Sequence, residues 1–246
     1  MNLFKNLTIG KQLKVGFGFL VGLLIVFVIV VFINVSDLKN NQIPAQKDFH
    51  GLVEYMLEMR RAEKDFLARD VVDVTSESFF KEGVSKNLTQ WEGHYNTFIT
   101  HLNGLKDYQK RKGLTLALKT SEKLENRVKV YRDSFHSLVE KYRKRGFKDF
   151  GIEGEMRQAI HEVEAAAAAA DPSIQAAMLQ SRRNEKDFML RKEIKYVDEF
   201  DTSVAQLLRL APTFAGLIND YKTKFHELVD IEKEIGLTPD TGLYGT

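Results

Sequence analysis

Apolar residues along this chain recur at spacings of three and four, and no convincing stretch alternates with a period of two. Phe80, Val84, Leu88, Trp91, Tyr95, Phe98, Leu102 and Leu105 form one row. Leu114, Ala117, Ser121, Leu124, Val128, Tyr131, Phe135, Leu138 and Tyr142 form another. Rows with a mean step of 3.5 are the seams that antiparallel helices bury against one another, so the pattern predicts an all-α protein built of helical bundles. The breaks are equally legible. Asn103-Gly104 is expected to end a helix, and Asp171-Pro172 supplies an N-cap and a first helical residue after the alanine run 165–170. Ala211-Pro212 repeats that device. Helices are therefore expected over 36–70, 74–104, 106–145 with a continuation past a glycine-bearing joint to 170, 172–192, 194–210, and from 213 onward.

The pattern changes at the N-terminus. From Val15 to Ile33 there is no charge and almost no polarity, a stretch about as long as the roughly 20 residues a helix needs to cross a bilayer. Lys5, Lys11 and Lys14 precede it and no acid occurs before Asp37. The positive-inside rule then places residues 1–14 in the cytoplasm, a transmembrane helix over 15–35, and the rest outside the membrane, in the periplasm. A cleaved signal peptide is the rival reading. It is disfavoured by the length of the apolar run and by Phe32-Ile33-Asn34-Val35-Ser36, which offers no small-residue cleavage site.

Two internal duplications organise the exported part. Arg60-Arg61-Ala62-Glu63-Lys64-Asp65-Phe66-Leu67-Ala68-Arg69 recurs as Arg182-Arg183-Asn184-Glu185-Lys186-Asp187-Phe188-Met189-Leu190-Arg191. Tyr131-Arg132-x-x-Phe135-His136-x-Leu138-Val139-Glu140 recurs as Tyr221-Lys222-x-x-Phe225-His226-x-Leu228-Val229-Asp230. The first pair lies 122 residues apart and the second 90, so the first unit carries 32 extra residues, expected as roughly 16 in each of two helices. The reading is two stacked helical modules, a membrane-proximal one over 36–145 and a membrane-distal one over 146–246. The proximal module has three long helices and an open apolar seam, as if its last helix were missing. Either the chain is a truncation of a longer one, the favoured reading, or a partner fills that seam.

The decapeptides are the candidate site. In the first helix one inward row reads Phe49, Leu52, Met56, Met59, Glu63, Phe66 and its neighbour reads Val53, Leu57, Arg60, Lys64, Leu67. In the second copy Ile174, Met178, Ser181, Glu185, Phe188 run beside Leu179, Arg182, Lys186, Met189. Charges turned into a bundle are costly unless paired or liganded. Two cations for each inward carboxylate leave surplus positive charge, which suits a small carboxylate gripped by arginine. Ordinary helix-surface ion pairs, such as Arg60–Glu63 and Arg61–Asp65, are the plain alternative. Tyr131 and Tyr221 occupy seam positions, as core residues or ligand contacts, and His136 and His226 lie one step off their seams.

Composition narrows the classes. Thirty-six Lys and Arg nearly cancel 34 Asp and Glu, so no global field calls for nucleic acid. With no cysteine, disulfides, thiolate nucleophiles and Cys-based zinc sites are excluded. The sequence holds no glycine-rich phosphate loop, no HExxH, no GxSxG and no Glu-x-x-His pair, so neither catalysis nor a cofactor or metal is expected.

The Asn-Leu-x-Ile-Gly-Lys-x-Leu-x-x-Gly-Phe stretch from Asn6 to Phe17 resembles the start of many bacterial chemoreceptors. The paired Arg-Arg-x-Glu-Lys-Asp-Phe motifs, with Gly151-x-x-Gly154-Glu155-Met156-Arg157, resemble the helical bimodular sensor domains of methyl-accepting chemotaxis proteins. The likeness runs from about residue 3 to the end. It implies two stacked bundles in the periplasm, dimerisation, and small organic acids such as dicarboxylates or acetate as ligands. Carried over position by position, it assigns ligand contacts to Arg60, Arg61 and Lys64 in one module and to Arg182, Arg183 and Lys186 in the other. The second membrane helix, the linker and the signalling hairpin of such receptors have no counterpart in this sequence, so the chain would sense without transmitting. Two other classes fit the same residues: a single-pass anchored helical protein that docks a partner, and the input domain of a sensor histidine kinase.

Overall fold

A computed structural model describes residues 9–35, 42–72, 77–168, 170–238 and 240–243. Side chains are described for 16–29, 45–72 and from 78 onward within those spans. Lys5 and Asp37, which frame the expected membrane span, and Gly245 of the second glycine segment lie outside the described residues. The fold is all-helical, with no strand among the described residues. The helices are α1 (Ile9–Val35), α2 (Gln42–Asp65), α3 (Glu77–Glu82), α4 (Lys86–Arg111), α5 (Thr115–Arg145), α6 (Gly151–Ala167), α7 (Pro172–Arg191), α8 (Lys195–Leu210) and α9 (Ala215–Ile235). A π turn, Phe66–Asp70, extends α2, and a 3₁₀ turn, Pro212–Phe214, leads into α9. The chain divides into two compact units, one formed by 12–137 and the other by 138–246 with 1–11.

In the 12–137 unit the core lies between α2, α4 and α5. Leu52, Met59 and Phe66 from α2 and its π turn, Trp91, Phe98 and Leu102 from α4, and Leu124, Val128 and Phe135 from α5 are all buried. Asn103-Gly104 does not end a helix as expected. Gly104 sits inside α4, where a Cβ would come within 2.6 Å of the Asp48 carboxylate, so the missing side chain makes room for α2. One turn earlier His101 Nδ1 meets Asp48 Oδ1 at 2.9 Å, and Gly51 clears the His101 ring. The helix ends instead near Gly113, whose φ of 66° closes the turn into α5.

The seam that the sequence leaves open between α2 and α5 is covered by α1. The Phe27 ring stacks on Phe49 at 6.0 Å, the Arg60 guanidinium lies 5.3 Å over the Phe17 ring, and that of Arg127 lies 4.8 Å over Phe19. These contacts run α1 antiparallel to α2 and seat it between α2 and α5. Leu20, Leu24 and Phe27 turn inward, while Phe19, Ile25, Val26 and Ile29 stay about half exposed, so α1 is apolar on both its inner and its outer face. Among the described residues no helix is long and apolar enough to cross a membrane.

The 138–246 unit packs α6, α7, α8 and α9 around Met156, Ile160, Val163, Phe188, Phe200, Val204, Tyr221, Phe225 and Leu228. Asp171 caps α7 through the Ser173 amide at 2.8 Å, with Pro172 as the first helical residue, as its sequence demands. Gly146 and Gly151, at φ 81° and 60°, form the joint between α5 and α6.

This unit carries a partly buried charge cluster around the buried Glu232, with no counterpart in the sequence reading. Arg145 Nε donates to Glu232 Oε1 at 2.5 Å, and the Arg145 Nη2 atom lies 3.4 Å from Glu153 Oε2. Lys192 donates to the same Glu232 oxygen. Lys192 holds a left-handed conformation, φ 57°, which favours glycine, and its ammonium reaches Glu232 from there.

Candidate functional site

Each decapeptide turns one carboxylate into its bundle. Glu63 and Glu185 are 5% and 0% exposed. In the first unit Tyr131 donates its hydroxyl to Glu63 Oε2, and Arg60 Nη1 donates to Glu63 Oε1. In the second, Tyr221 donates to Glu185 Oε2 at 2.6 Å, and Lys186 Nζ lies 2.5 Å from Glu185 Oε1. Arg182, the equivalent of Arg60, instead reaches α6, with Nη1 2.8 Å from Glu164 Oε1. A buried carboxylate without donors would be costly, and the tyrosine of the second duplicated motif supplies the donor in both units.

The expected surplus of inward cations is not there, and this part of the sequence reading is corrected. Arg60 and Arg182 are each matched by an acid, Glu63 and Glu164. Arg61 and Arg183 are each 75% exposed at the side chain, 3.9 Å from Glu58 and 3.8 Å from Asp187. Lys64 is exposed, and so is Lys186, although its Nζ lies beside Glu185 Oε1. Leu57 and Leu179, expected inward, are 57% and 60% exposed. The reason is stripe width. The row through Met59, Glu63 and Phe66 already fills the seam, and the neighbouring row falls at the boundary and outside.

Electrostatics follow this geometry. Burial, then the adjacent carboxylates, push the Tyr131 and Tyr221 hydroxyls far above the ordinary phenol value, so both stay protonated as donors. Burial disfavours the Arg60 charge, but Glu63 outweighs it and holds the guanidinium above its ordinary value.

A third duplication, missed in the sequence, completes each set. Trp91 lies tilted against Tyr131 at 5.7 Å and Phe135 at 4.7 Å. Phe200 meets Tyr221 at 5.3 Å and Phe225 at 3.8 Å. The decapeptide phenylalanines close both clusters edge-on, Phe66 to Phe135 at 5.9 Å and Phe188 to Phe225 at 5.6 Å. The signal was Trp91-Glu92-x-x-Tyr95-x-x-Phe98 against Phe200-Asp201-x-x-Val204-x-x-Leu207, an aromatic–acid step opening an apolar row. With these markers 28 residues separate Glu63 from Trp91 and 15 separate Glu185 from Phe200. Trp91 to Tyr131 is 40 and Phe200 to Tyr221 is 21, so the 32 extra residues divide unequally, 13 and 19, between the two connections.

The copies differ at the end of the motif. Phe66–Asp70 is a π turn, whereas the equivalent stretch of the second copy finishes as regular helix closed by left-handed Lys192. Among the described residues no group of three or more histidines and acids is placed to hold a metal ion. No family model, no curated protein and no solved structure matches this chain.

Proposed function

We propose that this chain is the ligand-sensing region of a membrane-anchored receptor of the chemoreceptor type, with one sensing set in each unit. The observation that carries the reading is the twice-built combination of a buried glutamate, its tyrosine donor and an arginine one helical turn before the glutamate. Packing alone would be served better by apolar residues of similar volume, because burying ionised groups often brings no net stability. A polar set retained in two units whose connections have diverged by 13 and 19 residues points to use.

The ligand class is a small organic acid. In each set the arginine already holds a carboxylate that a ligand can replace: Glu63 on Arg60, and the partly exposed Glu164 on Arg182. An incoming carboxylate takes the bidentate face of the guanidinium and releases the resident acid, which changes the packing of α2 against α5 or of α6 against α7. Signalling requires that the ligand bind the two packings with different affinity. The uncharged run from Val15 to Ile33, preceded by Lys5, Lys11 and Lys14, is the sequence feature that supports α1 as the membrane anchor. Homodimerisation belongs to the same reading.

Titration calorimetry of the full chain in detergent micelles, against a panel of two- to four-carbon mono- and dicarboxylates, tests it. A saturable heat is expected with at least one acid. It is expected to weaken at least tenfold in Arg60→Ala, Arg182→Ala or both. No heat with any acid, from a chain shown by circular dichroism to be helical, contradicts it. That outcome supports the second reading, an anchored helical docking protein, which the seat of α1 along α2 and α5 and its half-exposed Phe19, Ile25, Val26 and Ile29 favour.

A further inference from the structure

Outside each inner set lies a second polar set, built in the same way in both units. Glu92 on α4 takes Arg132 Nη2 at 3.3 Å and the His136 ring nitrogen, both from α5. Asp201 on α8 takes Lys222 Nζ at 3.0 Å and His226 Nε2 at 2.9 Å, both from α9. The carboxylate follows directly on the aromatic residue that packs against the tyrosine, Trp91 in one unit and Phe200 in the other. The same rings reach the histidines, Trp91 to His136 at 6.0 Å and Phe200 to His226 at 6.4 Å.

Helical geometry ties the two sets together. Tyr131 and Phe135 share one row of α5, while Arg132 and His136 share the next row, rotated by about 100°. A two-residue step on α4 therefore engages both rows, Trp91 the inner and Glu92 the outer. Phe200-Asp201 does the same on α9 with Tyr221, Phe225, Lys222 and His226. A single exposed ion pair contributes little to stability and leaves helix rotation free. A carboxylate held by two partners one turn apart fixes the rotation of the helix that bears them.

We propose that Glu92 and Asp201 are the paired positioning residues of the two sensing sets. Each clamps a cation and a histidine of the neighbouring helix, and so sets the reach of Tyr131 to Glu63 and of Tyr221 to Glu185. The inference builds on the reading of the inner sets as the sensing sites. Its test uses no ligand, so its failure and the failure of carboxylate binding are separate results.

The test is ¹⁹F NMR of the full chain in detergent micelles, labelled with 3-fluorotyrosine at its eight tyrosines. Tyr131→Phe and Tyr221→Phe assign the signals of these two tyrosines. Glu92→Gln is expected to shift the Tyr131 signal toward its position in the denatured chain and leave Tyr221 in place. Asp201→Asn is expected to do the reverse, and Glu92→Asp to keep the parent spectrum. Glu125→Gln is the control, because it also severs an α4–α5 ion pair, Lys106 Nζ to Glu125 Oε2 at 2.5 Å. Should Glu92→Gln fail to fold, Arg132→Gln removes one arm of the clamp and must move Tyr131 in the same direction. A Tyr131 signal that stays in place in a folded variant overturns the proposal. So does a signal that moves as far in Glu125→Gln as in Glu92→Gln.

Discussion

Glu232→Ala is expected to destabilise the 138–246 unit by about 3–5 kcal/mol, the range for leaving buried charge without its partner. Glu232 is 4% exposed and is the acceptor for both Arg145 and Lys192, so its removal strands two cations at once. Glu153 remains near Arg145 at 3.4 Å, which softens the loss for that residue and leaves Lys192 the worse placed. Domains are stable by only about 5–15 kcal/mol, so the variant stands close to unfolding at ambient temperature. Denaturant unfolding followed by far-UV circular dichroism reads the effect as a lowered midpoint. The pH dependence has a defined sign. Burial works to raise the Glu232 carboxyl, but Arg145 and Lys192 outweigh it and hold it below its ordinary value. A depressed carboxylate contributes stability that is full above the unfolded-state value and disappears as pH falls through the folded one. The parent therefore loses this contribution in acid below the ordinary glutamate range, and Glu232→Ala shows no such loss from this site.

Phe135→Ala and Phe225→Ala are each expected to cost about 3–5 kcal/mol, the usual range for deleting a buried phenylalanine from a packed core. Their equivalence is the sharper point. Phe135 is 4% exposed and lies between Trp91 and Phe66; Phe225 is 0% exposed and lies between Phe200 and Phe188. Each is the middle ring of its cluster, so the two losses should agree within the scatter of such measurements. The chain holds one tryptophan, and it touches Phe135. Trp91 emission should thus shift to the red in Phe135→Ala and stay where it is in Phe225→Ala. Unequal losses differing by more than about 2 kcal/mol would mean that the two clusters are alike in outline only.

The helices were legible because their apolar spacing is regular, and the cap at Asp171-Pro172 obeys local backbone rules, whereas Ala211-Pro212 opens a 3₁₀ turn with no side-chain cap. Gly104 was misread because a glycine serves equally to end a helix and to admit a neighbour, and only the Asp48 side chain across the α2–α4 contact decides between them. The duplications located both sets, and Tyr131 and Tyr221 were rightly placed on the seam. The direction of charge was misread for a geometric reason. Arg60 and Lys64 lie one row from Glu63, and sequence spacing fixes which residues share a row without fixing which row a bundle buries. The partners of the cations were beyond the sequence because they come from other elements: Glu164 for Arg182 from α6, and Glu232 for Arg145 and Lys192 from α9. Trp91-Glu92 and Phe200-Asp201 were available but hidden, since two residues repeated at an unmatched spacing of 109 stand out only once their common contacts are seen.

The claim beneath all of this is that the two units hold one and the same buried carboxylate–phenol contact. Double-mutant cycles measure it directly, with Glu63→Leu and Tyr131→Phe in one unit and Glu185→Leu and Tyr221→Phe in the other. The prediction is a favourable coupling of about 1–3 kcal/mol in both cycles, as for a hydrogen bond to a charged group. A coupling indistinguishable from zero in either cycle contradicts it.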